Sequence, residues 1–219
     1  MTVLVVLFVL FVAVLIAVGA YSTSRRRKKF AAWAAANGYR YEQSNDAYAR
    51  LPWGAPWGQG HSRRALDILT GTHSGRQVCC FTYRYDEESG SGDNRSDTTY
   101  NFAVYWTKLP KQLGELNVGR EGFGAKIARA IGFHDIELES EQFNRTFNVH
   151  ADNPRFAYDV LNPQMMQWLL TVDAPGFRIY GGDLVLVERN MLRLENIAPR
   201  LDYLDQVIAQ IPDFIWRAA

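Results

Sequence analysis

The sequence predicts an α+β fold, an N-terminal transmembrane helix followed by a domain of antiparallel sheet packed with a few helices. Three observations predict it. Residues Val3 to Ala20 form an unbroken apolar run. Between Arg63 and Leu109, three segments of strand-like composition are separated by turn-forming residues. After Asp152 the pattern turns to helical spacing, interrupted by one Gly-Gly hairpin signal. These features divide the chain into an anchor (1–24), a juxtamembrane helix (25–38), an antiparallel β-rich lobe with a short helix (39–134), and an α+β lobe with a hairpin and a C-terminal helix (135–219).

The anchor comes first. At 1.5 Å per residue, the eighteen residues Val3–Ala20 reach about 27 Å, close to the thickness of a hydrocarbon core. Their β-branched side chains matter little in lipid, where an unpaired backbone amide costs several kcal/mol and enforces a helix. Tyr21 at the exit suits the interface. Next comes a basic collar, Arg25, Arg26, Arg27, Lys28 and Lys29, whereas only Met1 and Thr2 precede the run. That asymmetry predicts a single pass through the cell membrane, the N-terminus outside and the soluble domain cytoplasmic. It also predicts lipid headgroup contacts for the five collar residues, each adding about 1 kcal/mol at an anionic surface. Val18-Gly19-Ala20 would pass as a signal-peptide cleavage site, but the charge follows the apolar run instead of preceding it.

Composition narrows the partners. Of 219 residues, 47% are hydrophobic and 21% charged, values of a globular chain. The collar holds five of the 24 basic residues, leaving 19 against 23 acidic ones, a net of −4. Such a domain lacks the basic patch that nucleic acid requires. The predicted partner is membrane lipid, with another membrane protein or a second copy of this chain as protein partners. The two cysteines, Cys79 and Cys80, are adjacent. On a strand they would face opposite sides and would not pair with each other.

The elements follow in order. Arg25 to Asn37 reads as a helix with Phe30, Trp33 and Ala34 on one face, stopped by Gly38, and it can run on from the anchor. Tyr39 to Glu42 is a short strand. The segment Leu51 to Gly60 holds two prolines, three glycines, Trp53 and Trp57, and reads as a structured turn whose tryptophans plug a core edge or stack on a ligand. Arg63–Thr70 and Arg76–Tyr85 form a hairpin across His73-Ser74-Gly75. In its second arm Val78, Cys80, Thr82 and Arg84 alternate with Cys79, Phe81, Tyr83 and Tyr85. Asp86 to Asp97 reads as a flexible loop tip. Thr98–Leu109 completes a meander, with Tyr100, Phe102, Val104 and Trp106 on one face. A short helix is expected at Phe123–Ile131. Then come a strand at Asp135–Leu138, a strand at Phe147–Val149, and helices opened by Asn153-Pro154 and Asn162-Pro163. A hairpin across Gly181-Gly182-Asp183 and a helix from about Leu194 to Ile211 end the chain, with Pro199 near the start of that helix.

No catalytic, cofactor or metal motif emerges. Gly119-Arg-Glu-Gly122-Phe-Gly124-Ala125-Lys126 lacks the Gly-Lys-Ser/Thr succession of a phosphate loop. The four histidines have no ligand spacing. Asp135, Glu137, Glu139 and Glu141 would share one strand face and offer a cation surface. A charged strand edge explains them equally, and Glu139-Ser140-Glu141 can turn into a helix instead. Trp53, Trp57, Glu137, Glu139 and Glu141 are therefore the candidate ligand or partner surface.

The stretch Glu139-Ser-Glu-Gln-Phe-Asn-Arg-Thr-Phe-Asn-Val-His-Ala-Asp-Asn-Pro-Arg-Phe-Ala-Tyr-Asp-Val-Leu-Asn-Pro-Gln-Met-Met-Gln-Trp-Leu-Leu170 resembles a family of uncharacterised, membrane-anchored actinobacterial proteins with a domain of unknown function. The resemblance implies the anchor-plus-domain layout and carries over no catalytic residue. Read physically, Phe143, Phe147 and Val149 face a core. Ala157, Val160 and Leu161 form one helix stripe, and Met165, Trp168 and Leu169 another. Pairing of Phe147–Val149 with the later hairpin would account for the whole motif. The function expected from all this is a membrane-tethered interaction or scaffold protein. The alternative is a membrane-bound enzyme or ligand-binding domain with its pocket near Trp53, Trp57 and Glu137–Glu141.

Overall fold

A computed structural model of the chain describes residues 2–90, 95–120, 134–172 and 174–217. The helix expected at Phe123–Ile131, and most of the Gly119–Lys126 segment, lie outside the described residues. Helix α1 runs unbroken from Thr2 to Asn37, so the juxtamembrane helix continues the apolar segment. Gly38, at φ 74°, ends it, and the Tyr39 amide donates back to the Ala34 carbonyl at 2.8 Å. Among the described residues no helix is long and apolar enough to cross a membrane. Within α1, Val6, Leu7, Leu10, Phe11 and Val14 are 53–61% exposed.

Among the described residues nine strands form one sheet: β1 (Arg40–Ser44), β2 (His61–His73), β3 (Arg76–Ser89), β4 (Ser96–Lys108), β5 (Leu116–Arg120), β6 (His134–Asp135), β7 (Phe147–Ala151), β8 (Gly176–Tyr180) and β9 (Asp183–Arg189). Their spatial order is β1-β2-β3-β4-β9-β8-β5-β7-β6, and neighbours pair antiparallel. The β2–β3 turn is Ser74-Gly75, both at positive φ, the backbone that matches strand twist in a two-residue hairpin. The β3–β4 ladder extends to Ser89↔Ser96, so half of the expected 86–97 loop is strand. Thr99 donates to Asp86 at 2.7 Å and Arg95 meets Glu88 at 3.2 Å, cross-strand contacts that favour continuing the ladder over a loop.

The sheet joins the two predicted lobes, because β9 pairs with β4 along Phe102↔Arg189 to Lys108↔Asp183. The Phe147–Val149 strand does not pair with the β8–β9 hairpin. Strand β5, absent from the sequence reading, lies between them, with Val118 opposite both Val149 and Phe177. Five residues containing Asn117 and Gly119 carry too little periodicity to announce a strand. Gly176, at φ 93°, pairs with Gly119 of β5, and a Cβ there would run into the Val118 carbonyl.

The strand expected at Asp135–Leu138 contains only His134–Asp135. Glu139 and Glu141 do not extend it: the Ser140 hydroxyl accepts from the Phe143 amide at 3.3 Å and starts helix α2 (Glu141–Thr146), which breaks the acidic alignment. Asn153 caps α3 (Pro154–Val160) and Asn162 caps α4 (Pro163–Thr171), each with proline in the first turn. A 3-10 turn at Leu194–Asn196 leads into α5 (Ile197–Gln210), and α6 (Asp213–Arg217) ends the fold. Pro199 sits in the first turn of α5, where its missing N–H breaks no helical bond.

Two apolar clusters lie on the two sides of the sheet. One gathers Phe30, Leu69, Cys80, Tyr105, Phe143, Met165, Leu169, Leu204 and their neighbours, so segments 39–134 and 135–219 share it. The other holds Trp53, Trp57, Ile68, Cys79, Phe81, Tyr83 and Val104 beneath the 48–57 segment. Cys79 and Cys80 are both free and buried, on opposite sides. Strand β4 is buried on both faces, Ala103 and Tyr105 on one and Phe102 and Val104 on the other. Trp168 is only half-buried and stacks on Tyr203 at 5.8 Å, whereas Met165, Met166 and Leu169 fill the core beside it.

Candidate functional site

The most distinctive local geometry lies where α1 meets the sheet. Phe30 and Ala34, 3% and 2% exposed, seat the end of α1 on the apolar cluster. One turn earlier, Arg26 donates from Nε to Asp67 Oδ2 at 2.6 Å and from Nη2 to the Leu192 carbonyl at 2.8 Å, with its guanidinium 4.5 Å above the Phe30 ring. Arg26, predicted with the other four collar residues to contact headgroups, is thus also a docking residue. Arg25, Arg27, Lys28 and Lys29 are exposed.

Asp67 reaches Arg26 because of a β-bulge. Leu66 pairs with Thr82 but Leu69 with Cys80, so strand β2 carries an extra residue there, and Asp67 has φ 52°. The bulge puts Ile68 on the tryptophan side with Ala65 and leaves the Asp67 carboxylate for α1 and β1. The Tyr41 hydroxyl donates to Asp67 Oδ1 at 3.0 Å. Burial, and next the Asp67 charge, push the Tyr41 pKa well above the ordinary phenol value. Two donors thus satisfy a carboxylate that is only 8% exposed.

Beside this contact opens a cleft of about 430 Å³. Its charged lining is Arg26, Arg27, Arg64 and Arg84 against Asp46 and Asp67, with Leu66 and Met191 as apolar wall. Arg84 is oriented by its Nε, which donates to Asn101 Oδ1 at 3.0 Å. The sequence reading missed Tyr41, Arg64, Asp67 and Arg84. The one available signal was an acid inside the run Leu66-Asp67-Ile68-Leu69, since a carboxylate in a buried strand needs a partner.

Trp53 and Trp57 are core residues. Their rings meet edge-to-face at 5.4 Å, Trp57 stacks on Tyr83 at 4.8 Å, and both indoles are bonded, to Asp183 Oδ2 at 3.3 Å and the Tyr48 carbonyl at 3.0 Å. Buried Arg178 holds this segment by donating to the Trp53 and Ala55 carbonyls, and burial lowers its pKa. A shallow depression of about 380 Å³ beside Trp57 is lined by Arg50 and Arg63 and by no carboxylate or histidine. Glu137, Glu139 and Glu141 are exposed around β6, at the other edge of the sheet from β1, so they do not join the two tryptophans in one surface. Glu141 instead pairs with Arg145 at 3.0 Å along α2.

No family model and no curated protein matches the chain. Among solved structures it is similar to the mycobacterial trehalose monomycolate transport factor A, TtfA, with a TM-score of 0.56 and 13% sequence identity, over 84% of this chain and 90% of that one. At that identity the likeness shows a shared α+β fold and nothing finer.

Proposed function

We propose that this chain is a membrane-tethered interaction protein, with Val3–Ala20 as its single span and the sheet domain as a cytoplasmic module held against the bilayer. The observation that carries this reading is the continuity of α1. The same helix carries the exposed apolar side chains Val6, Leu7, Leu10, Phe11 and Val14 and, three to four turns beyond Val14, the Arg26–Asp67 and Phe30 contacts. Apolar residues exposed over several turns need a cover, and lipid is the cover that length and collar both fit. A rigid connection then fixes which side of the domain faces the leaflet. The structural neighbour is named as a transport factor. An accessory role beside another membrane protein, or beside a second copy, fits a domain whose tryptophans serve its core.

Two measurements test it. A thiol placed at one of residues 91–94 should resist an impermeant reagent in intact cells and react after lysis; labelling from outside would reverse the orientation. Crosslinking in native membranes should yield a stoichiometric partner, and Asp67→Ala, which loosens the domain from α1, should weaken that capture. A monomeric chain with no crosslinked partner would refute the interaction role.

A further inference from the structure

We propose that the cleft between α1, β1 and β2 binds one anionic phosphate headgroup, supplied by a lipid of the leaflet from which α1 emerges. The proposal rests on the membrane-tethered reading and adds a ligand to it.

Position is the first argument. Thr23, Arg26 and Arg27 line the cleft and follow Ala20 by three, six and seven residues. At 1.5 Å per residue they stand about 5, 9 and 11 Å beyond the end of the apolar run. The polar layer of a leaflet is about 5–8 Å deep, and an arginine side chain reaches back into it. A phosphate in that layer therefore lies within reach of the cleft mouth.

Charge is the second. Asp67 already neutralises Arg26, which leaves Arg27, Arg64 and Arg84 facing the single carboxylate of Asp46. Arg27 and Arg64 are exposed, and Arg84 presents its Nη groups once Asn101 holds its Nε. Guanidinium forks match phosphate oxygens bidentately. These arginines come from three elements, α1, β2 and β3, so their spacing is set by the sheet. Leu66 and Met191 add the apolar wall that a glycerol backbone needs and inorganic phosphate does not. The rest of the collar, Arg25, Lys28 and Lys29, does not line the cleft, because the 100° helical step turns those residues away from the middle of the face that Thr23, Arg26 and Arg27 share.

The test uses the full chain in nanodiscs of phosphatidylcholine with a minor share of phosphatidylglycerol, released gently for native mass spectrometry. One phosphatidylglycerol should be retained against the phosphatidylcholine excess. Arg64→Gln with Arg84→Gln should lower that retention roughly tenfold or more, at about 1 kcal/mol per lost cation. Arg25→Gln with Lys28→Gln removes equal charge outside the cleft, and a clearly smaller fall is expected. Equal falls in the two pairs would overturn the site in favour of diffuse attraction. Inorganic phosphate displacing the lipid at matched concentration would overturn the lipid source and leave a soluble-anion site. If the first pair melts early, Arg64→Gln alone, at an exposed position, carries the same comparison. Alkaline carbonate extraction of the full chain separates the two proposals. A chain that washes off refutes the tether itself, whereas a chain that stays but shows no selective retention refutes only the headgroup site.

Discussion

The two sides of the sheet are covered by different physics. On one side, α1, α4 and α5 lay apolar stripes on the strands, and ion pairs at the margins steer them: Arg26–Asp67 at 2.6 Å, Arg76–Asp205 at 2.9 Å and Arg200–Glu188 at 2.8 Å. On the other side no long helix lies among the described residues. The 48–57 segment lies over the strands, filled by Trp53 and Trp57 and held from beneath by Arg178. A helix satisfies its own backbone and needs only an apolar face. A loop used as a lid brings unpaired carbonyls, so it needs a buried donor and large rings to fill what its backbone leaves open.

The largest effect is expected at the lid. Trp53→Ala should cost about 3–5 kcal/mol, because the paired strands beneath the buried indole cannot collapse into the gap it leaves. A melting temperature within a few degrees of wild type would show that the lid is dispensable. Next in size is Asp67→Ala, expected to cost about 2–3 kcal/mol by stranding the part-buried Arg26 and the Tyr41 hydroxyl. Protease cleavage between α1 and β1 should rise in that variant, and unchanged protection would show that Phe30 and Ala34 dock the helix unaided. Trp168→Ala is milder, about 1–2 kcal/mol, since the ring is half-buried and loses mainly its stacking on Tyr203.

The smallest effect is chemical. Burial pushes the Cys79 thiol up to about 12, and Cys80 well above its ordinary value, on the two sides of the sheet. Tyr39, Tyr48 and Tyr83 are likewise raised to about 12, chiefly by burial. All five are neutral when protonated, and the fold favours that form. The unfolded chain loses these protons first, so the native state binds more protons between about pH 9 and 12 and stability falls with rising pH across that window. Both thiols should resist a thiol reagent in the native protein at pH 8–9 and react at once in denaturant. Native-state reaction of either cysteine would show that its side of the sheet opens.

Much of this fold was legible because its determinants are local. Ser74-Gly75 and Gly181-Gly182 encode turns by backbone freedom, and Asn153-Pro154 and Asn162-Pro163 encode helix starts by capping. Alternation in β3 likewise put Cys79 and Cys80 on opposite sides. The candidate cleft was not legible. Asp67 and Arg26 are 41 residues apart, and Arg26 read as one more collar cation until a bulge turned Asp67 toward it. Trp53 and Trp57 read as core-edge plugs or as a ligand platform, and the strands beneath them decide for the core.

By itself the sequence determined the periods: an apolar run followed by a basic collar, paired strands at matched turns, and capped amphipathic helices. These depend on neighbours within a few residues, where backbone sterics and side-chain spacing act. Only the tertiary structure decided that β5 separates β7 from β8, that β9 joins the two halves, and that four arginines from three distant segments share one cleft. Those outcomes follow from which surfaces bury each other best, a competition among all the elements at once that no local window contains.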